Sequence, residues 1–181
     1  MLGIDDAPFS KRQREPVPIV AVIMEGCDLV EAVAIASFPV DGADATGFLA
    51  GWIGGLRLRR SLQAVLLGGI TLAGLGVVDV RGLASRLRAP VLVATRRRPS
   101  DGELVKALRA AGLPERIPLV EGAPRAVRVA DGLHLACAGI GRAEAGAIAR
   151  GTLRKARLPE PLRIAHLIGN ALVTGASRGR A

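Results

Sequence analysis

AVLLGGITLAGLGVVDV, residues 64–80, is the stretch that decides the fold. It begins with four consecutive apolar residues that end at Gly68 and Gly69, and a glycine-rich turn then leads into a second apolar run. Continuous apolar runs of this kind are typical of a central strand that is buried on both faces of a sheet. In open α/β sheets, ligands bind beyond the carboxyl ends of the strands. We therefore expect a functional site to open next to Gly68.

The composition is that of a globular chain with a large core. Half of the 181 residues are apolar, which is enough to fold without a metal ion or a disulfide. No apolar run approaches the roughly 20 residues that a membrane span needs. The first residues also lack the apolar segment of a secretory signal peptide. We expect one domain over residues 1–181, in the cytoplasm and with no membrane partner.

The charge is strongly basic, and arginine supplies most of it. The net charge is +9, and all but three of the 25 basic residues are arginine. Arginine suits phosphate groups, and a strongly basic domain is typical of proteins that bind DNA or RNA. Because the chain has one Trp, three Phe and no Tyr, contacts should be made mostly to backbone phosphate. The candidate residues form two clusters: Arg57, Arg59 and Arg60, and Arg96, Arg97 and Arg98.

The basic surface has a second interpretation. Asn and Gln are scarce in this chain, and thermophilic proteins avoid these labile residues while carrying many surface charges. A solvated surface adapted to high temperature would therefore also explain the excess of arginine.

Apolar periodicity and turn residues predict the order of the helices and strands. Strands are expected at residues 1–4, 17–24, 29–38, 64–67 and 90–95, with the second and third forming an antiparallel pair. Helices are expected after an N-cap at Asp44, at residues 78–87, from Ser100 or Asp101 to Gly112, at residues 142–150 and at residues 158–173. Two or three short strands at residues 117–121, 126–129 and 133–138 are expected to form a small β-patch appended to the main sheet.

Common nucleotide-binding motifs are incomplete in this sequence. Gly74 and Gly76 are followed by Asp79 where the dinucleotide fingerprint requires a third small residue, so a tight turn is favoured over a Rossmann site. No glycine-rich loop is followed by the lysine of a P-loop. Neither class of nucleotide-dependent enzyme is expected.

Four aspartates and one histidine are the candidates for chemistry. Asp5 and Asp6 follow the first predicted strand, and Asp41 and Asp44 precede the first predicted helix. Carboxylates gathered at one sheet edge would suit magnesium, which proteins hold by one or two carboxylates together with water and substrate phosphate. The alternative is that each pair only stabilises a turn. His166 lies on or beside the apolar face of the last predicted helix, where a core histidine without chemistry is the alternative.

Five stretches, spread over nearly the whole chain, carry a resemblance to a known family. They are GIDDAPF (residues 3–9), VDGADAT (40–46), GGITLAGLGVVDV (68–80), LPEPLRIAHL (158–167) and SRGRA (177–181). Together they closely resemble the archaeal domain-of-unknown-function family ninety-nine, which is similar to endonuclease V. The resemblance implies a ribonuclease H-like α/β fold, with a five-stranded mixed sheet that is antiparallel in its first three strands, parallel after them, and flanked by helices. Endonuclease V is a magnesium-dependent nuclease that cuts beside deaminated bases, chiefly inosine.

The resemblance also assigns roles to individual residues. Asp5 resembles the metal-binding aspartate after the first strand, and Asp44 resembles the glutamate that opens the first helix. His166 lies at the position of a catalytic-site histidine. The implied cofactor is magnesium or manganese, held by Asp5 and Asp44.

Two departures from endonuclease V stand out. Endonuclease V has an Asp-Gly pair at the end of its fourth strand, and relatives in this family often keep it, whereas this chain has Gly68 and Gly69. A metal ligand is therefore missing, and Asp6 or Asp41 is the candidate to replace it as a metal ligand. The aromatic wedge loop of endonuclease V also has no counterpart, because the chain contains no Tyr.

These observations lead to three hypotheses of different classes. The first is an endonuclease V-like enzyme that hydrolyses phosphodiesters with magnesium, attenuated because Gly68 replaces the strand-end aspartate. The second is a catalytically inactive protein that binds nucleic acid through an arginine-rich face. The third is an interaction or small-molecule domain whose basic surface reflects only thermal adaptation, since basic surface alone does not identify a partner.

Overall fold

A mixed seven-stranded sheet lies at the centre of the computed structural model, which describes residues 1–98 and 100–177. The strands, in chain order, are β1 (Leu2–Asp6), β2 (Val17–Glu25), β3 (Leu29–Phe38), β4 (Val65–Leu67), β5 (Thr71–Leu72), β6 (Gly76–Val77), β7 (Val91–Thr95), β8 (Val127–Ala130) and β9 (Leu133–Ala138). The main sheet has the order β3-β2-β1-β4-β7-β9-β8, and β5 pairs with β6 in a separate small hairpin.

Strand directions confirm the predicted ribonuclease H-like arrangement. β1 pairs antiparallel with β2 and β2 pairs antiparallel with β3, whereas β4 runs parallel to both β1 and β7. The carboxyl ends of β1, β4 and β7 therefore lie at the same edge of the sheet, which we call the carboxyl edge. Gly68 and Gly69, which follow β4, lie at this edge.

The prediction of five strands with an appended patch is wrong in one respect. β9 joins the main sheet by pairing antiparallel with β7, from Val91 opposite Ala138 to Thr95 opposite His134, and β8 follows at the edge. Residues on both faces of β9 are buried, so this strand needs a neighbour and helices on either side. Pairing between distant strands cannot be deduced from the local pattern of either one.

Residues 117–121 form a helix and not the predicted strand. The segment Ile117–Glu121 is the short helix α4, and Pro118 lies in its first turn, where the missing amide proton costs nothing. The buried Val120 packs with Leu108 and Val77 in a small apolar cluster beside the main core. A four-residue apolar run is too short for its periodicity to distinguish helix from strand.

Helices cover both faces of the sheet. Besides α4, the α-helices are α1 (Ala45–Gly54), α2 (Val80–Leu87), α3 (Asp101–Ala110), α5 (Arg142–Gly151) and α6 (Glu160–Thr174). α1 and α2 bury Leu49 and Leu83 in the core of one face, whereas α5 and α6 bury Ala149 and Leu162 against the other. Asp44 is the N-cap of α1, as predicted.

No helix in the described part of the chain combines the length and the apolar character needed to cross a bilayer.

Candidate active site

Asp5 and Asp6 are the last two residues of β1, which extends two residues beyond the predicted end at Ile4. β4 ends next to them at Leu67 and continues into Gly68. A cavity of about 130 Å³ opens at this point of the carboxyl edge, and its lining includes both aspartates, Gly68 and Thr71. A cavity therefore lies at the place where the position of the glycine pair predicted a functional site.

His166 contacts Asp5 from the far end of the sequence, although it is not among the residues that line the cavity. Its Nδ1 lies 2.9 Å from Oδ2 of Asp5, which joins residues 161 positions apart. Both side chains are partly exposed, with 34% of the histidine and 20% of the aspartate accessible. The hydrogen bond to Asp5 raises the pKa of His166, although partial burial and the charge of Arg96 oppose the shift. His166 is thus not a buried core residue.

The closeness of α6 to β1 explains how His166 reaches Asp5. A Cβ on Gly3 would lie 2.3 Å from the carbonyl carbon of Pro161, so only glycine lets the start of α6 touch the strand. Further along the helix, a Cβ on Gly169 would lie 3.1 Å from the Cα of Ala7. These two contacts lie on either side of His166 along the helix. Sequence reasoning missed them, although a glycine inside a strand is a known sign of close backbone approach.

The start of α6 is also fixed by a buried ion pair. Glu160 is only 2% exposed, and its carboxylate accepts hydrogen bonds from Nε and Nη2 of Arg163 at 2.7–2.9 Å. The Glu160 amide donates to the carbonyl of Thr152 at 2.8 Å. Both residues belong to the first turn of α6, and breaking a buried pair leaves an uncompensated charge, so this contact stabilises the start of the helix.

Asp6 has a structural contact that the sequence did not predict. Its Oδ2 accepts a hydrogen bond of 2.8 Å from the amide of Ala73, which belongs to the turn between β5 and β6. Ala73 adopts a left-handed conformation with φ of 47°, which is unfavourable for alanine. Burial and the nearby charge of Asp5 raise the pKa of Asp6. Asp6 therefore helps to hold the β5–β6 hairpin beside the cavity.

Asp41 and Asp44 accept hydrogen bonds from backbone amides elsewhere in the structure. Asp44 Oδ1 accepts from the Gly47 amide at 2.8 Å, which caps α1, and Asp41 Oδ1 accepts from the Leu75 amide at 2.7 Å. Asp44 lines a separate cavity of about 200 Å³ together with Arg116. The structure thus places His166 close to Asp5 and Asp6, whereas neither Asp41 nor Asp44 lines the cavity of Asp5 and Asp6. The metal-binding role of Asp41 and Asp44 stays a prediction.

The donor set at Asp5 suits a hard cation with few protein ligands. Within residues 1–98 and 100–177, no three or more His, Cys, Asp or Glu side chains are grouped so that they could hold a metal ion. Magnesium needs only one or two carboxylates, with water and substrate supplying the other oxygens, and Asp5 and Asp6 line one cavity. A closed tetrahedral zinc site does not fit, because it requires four protein ligands.

The six candidate arginines do not share one surface. Arg96, Arg97 and Arg98 follow β7 at the carboxyl edge and are exposed. The other three come between α1 and the amino end of β4, at the opposite edge. There, Arg59 donates a hydrogen bond to the carbonyl of Leu87 at the end of α2. Only the first cluster lies near His166.

Comparisons with other proteins identify the family of this chain. The family model described as Endonuclease dU matches residues 1–173. A UPF0215 protein of Methanothermobacter thermautotrophicus is 36% identical over 185 residues, covering 100% of this chain and 91% of that protein. A UPF0215 protein of Archaeoglobus fulgidus is 34% identical, covering 99% of this chain and 97% of that protein.

Solved structures give the same result for the fold. A protein of unknown function from Archaeoglobus fulgidus superimposes with a TM-score of 0.87 at 32% identity, over 96% of this chain and 98% of that one. Human ENDOV gives 0.59 at 16% identity, over 91% and 79% of the two chains. Endonuclease V of Ciona intestinalis, solved with a 24mer DNA containing an inosine, gives 0.55 at 16% identity, over 91% and 81%. The chain belongs to the Endonuclease dU family, which has archaeal relatives and shares the ribonuclease H-like fold of endonuclease V.

Proposed function

We propose that this protein is a magnesium-dependent endonuclease that cuts nucleic acid beside a deaminated base, with its chemistry centred on Asp5 and His166. The observation that carries the proposal is the 2.9 Å contact between these two side chains at the carboxyl edge. The description of the family as Endonuclease dU supports deoxyuridine in DNA as the first substrate to test. Inosine is the second, because endonuclease V of Ciona intestinalis was solved with inosine-containing DNA.

Asp5 and Asp6 are the residues that would hold magnesium or manganese. Their carboxylates line the same cavity, and they fit a cation that takes its remaining ligands from water and substrate phosphate. The bound cation would lower the pKa of the attacking water and offset the charge on the leaving oxygen. Asp44 stays a predicted second ligand, although its Oδ1 already accepts the hydrogen bond that caps α1.

His166 is suited to proton transfer. Because Nδ1 is engaged by Asp5, the other ring nitrogen, Nε2, is the one left for exchange of a proton with water or with the leaving oxygen. Asp5 also orients the imidazole ring, as carboxylate partners of histidine do at other catalytic sites. Arg96 is close enough for its charge to lower the pKa of His166, and a cation there would favour a bound phosphate.

The test is cleavage of three matched duplexes that carry thymidine, deoxyuridine or inosine at one position. We expect magnesium-dependent cutting of the deoxyuridine strand, which disappears when the cation is removed with EDTA. The Asp5→Asn variant should bind the same duplex without cutting it. If pure wild-type protein cuts none of the substrates, or their RNA equivalents, in magnesium or manganese, the proposal fails.

A second candidate function is nucleic-acid binding without catalysis. Gly68 stands where endonuclease V has an aspartate, and the described residues contain no group of three metal-ligating side chains. Under this alternative, wild type and Asp5→Asn bind equally well and neither cuts. Affinity should fall steeply as the salt concentration rises. The logarithm of the affinity should decrease with the logarithm of the salt concentration with a slope of about 0.9 for each phosphate contact on duplex DNA. A flat salt profile would favour the interaction or small-molecule domain instead.

A further inference from the structure

A second and larger cavity lies beside the candidate active site. It measures about 540 Å³ and crosses the face of the sheet that carries α1 and α2, with Val93 of β7 and Ala136 of β9 as its floor. The segment around residues 123–127 forms one wall. This volume is within the roughly 300–1,000 Å³ range of ligand pockets. We call this cavity the arginine groove.

Three exposed arginines line the groove from different parts of the chain. Arg98 follows β7 at the carboxyl edge, Arg125 precedes β8, and Arg142 begins α5 after the end of β9. The end of β9 pairs with the start of β7. Arg142, which follows β9, therefore lines the groove at the opposite end of β7 from Arg98. Arg125 and Arg142 also line an adjoining cavity of about 340 Å³, together with Arg81.

The charge of the groove is largely uncompensated. Among the described residues, none of the three arginines takes part in a side-chain ion pair, and Asp101 is the acidic residue in the lining. Guanidinium groups bind phosphate oxygens strongly, often with two parallel hydrogen bonds. A groove with several such groups and one carboxylate favours a ligand with more than one phosphate.

The groove and the candidate active site are neighbours along the carboxyl edge. Ile70 lines the groove, whereas Gly69 and Thr71 on either side of it line the cavity of Asp5. Arg98 is two residues beyond Arg96, whose charge acts on His166. A strand whose phosphate lies at Asp5 can therefore continue past Ile70 into the groove.

The shape of the groove favours an unpaired strand. Its floor and walls include Val93, Ala136, Val127 and Ile70, which offer aliphatic surface to a sugar or base but contain no aromatic ring for stacking. A cavity of this volume takes nucleotides singly and has no room for a base-paired helix. Binding through backbone phosphates without stacking agrees with the low aromatic content of the chain.

We propose that the arginine groove binds the phosphate backbone of an unpaired stretch of the strand that is cut, next to the scissile bond. Arg98, Arg125 and Arg142 each contact phosphate, and the aliphatic floor packs against the nucleotides between them. This inference rests on the proposed function and deepens it, because it names the form in which the substrate strand is held.

The experiment measures binding in EDTA, where cleavage plays no part. A fluorescein-labelled single-stranded DNA containing one deoxyuridine is titrated by fluorescence anisotropy over a series of salt concentrations. The groove variant is Arg98→Gln/Arg125→Gln/Arg142→Gln. The matched control, Arg150→Gln/Arg154→Gln/Lys155→Gln, loses the same charge from exposed residues at the end of α5 and just beyond it. Thermal unfolding of both variants verifies that they fold.

We expect the groove variant to bind the single strand at least about tenfold more weakly than wild type. The slope of log affinity against log salt concentration should be smaller by about 2, because each phosphate contact on a single strand contributes roughly 0.7. The control should lose less than about threefold. On a fully paired duplex of the same sequence, the groove variant should also lose less than about threefold. If the triple variant does not fold, each single substitution should lower the slope by about 0.7.

Three results would overturn the inference. They are equal losses in the groove and control variants, no loss in the groove variant, or equal losses on the single strand and the duplex. Cleavage is scored separately, so the two proposals can fail independently. If binding depends on the groove but nothing is cut, the proposed enzymatic function fails and the proposed role of the groove stands. If a groove variant binds like wild type and still cuts, the proposed role of the groove fails and the enzymatic function stands.

Discussion

The two pairs of aspartates that the sequence singled out have different surroundings. Asp5 is contacted by a histidine 161 residues away, whereas Asp41 and Asp44 accept backbone amides from Leu75 and Gly47. Backbone amides at turns and helix starts are present whether or not a protein has a catalytic site. A long-range partner requires the fold to bring two polar side chains together. The type of partner therefore distinguishes Asp5 from Asp41 and Asp44, whereas Asp6 combines a backbone contact with a place in the cavity of Asp5.

The sharpest test of this difference compares Asp5→Asn with Asp44→Asn. We expect Asp5→Asn to lose more than about 100-fold in cleavage rate, because even the outer partners of metal ligands cost 10–100-fold. Asp44→Asn should lose less than about threefold and keep its stability, since asparagine caps helices as well as aspartate does. Single-turnover cleavage and thermal unfolding measure both. Equal losses of activity would support the predicted role of Asp44 as a metal ligand.

Replacing His166 tests the other half of the pair. We expect His166→Gln to slow cleavage by about 100-fold, at the lower end of the range for a general acid or base, while DNA binding in EDTA stays unchanged. The matched control is His134→Gln, which replaces the only other histidine of the chain and should leave the rate within about twofold. A large loss of DNA affinity in His166→Gln would assign the residue to binding instead.

The close approach of α6 to β1 can be broken at Gly3. Gly3→Ala places a methyl group against the backbone of Pro161, so we expect a loss of about 2–3 kcal/mol in the free energy of unfolding. Gly51→Ala in α1 is the control, because a Cβ there meets nothing within 4 Å. It should gain up to about 1 kcal/mol from better helix propensity. Chemical denaturation measures both, and a neutral Gly3→Ala would disprove the tight contact.

The missing strand-end carboxylate can be restored at Gly68. A Cβ at this position lies 2.9 Å from Oδ1 of Asp5, the end of a side chain that can adjust. We expect Gly68→Asp to bind magnesium about tenfold more tightly, because added ligand charge raises the affinity of oxygen-ligand sites. Calorimetric titration compares it with Gly68→Asn, which adds similar volume without charge. Equal affinities in the two variants would contradict the proposed site for the cation.

Asp6 offers a smaller effect that depends on pH. Its pKa is raised in the folded protein by burial and by the charge of Asp5, so the folded state holds this proton more tightly than the unfolded state does. Stability should fall as the pH rises from the ordinary pKa of an aspartate through the raised one. In EDTA at neutral pH, Asp6→Asn should gain about 1 kcal/mol and show a flatter pH profile. A loss of stability would mean that the Ala73 contact requires the charge.

Local patterns predicted local structure well. The strand Leu29–Phe38 has the predicted bounds, and Asp44 caps α1 as its position before an apolar helix indicated. The pairing of β7 with β9 could not be predicted in this way, because α3, α4 and β8 lie between the two strands in the chain. The separate roles of Asp5 and His166 were expected only from a resemblance to a family, and their contact was not predicted. Nothing in the spacing of the two residues places them within hydrogen-bonding distance.

The position of this pair in the chain has a consequence for protein synthesis. Asp5 belongs to the first strand and His166 to the last helix, so a growing chain carries the aspartate long before the ribosome adds its partner. The pair forms only when α6 packs onto β1 through Gly3 and Gly169. Under the proposed function, cleavage therefore has to wait until α6 has been synthesised, and the messenger RNA being translated is not exposed to it before then.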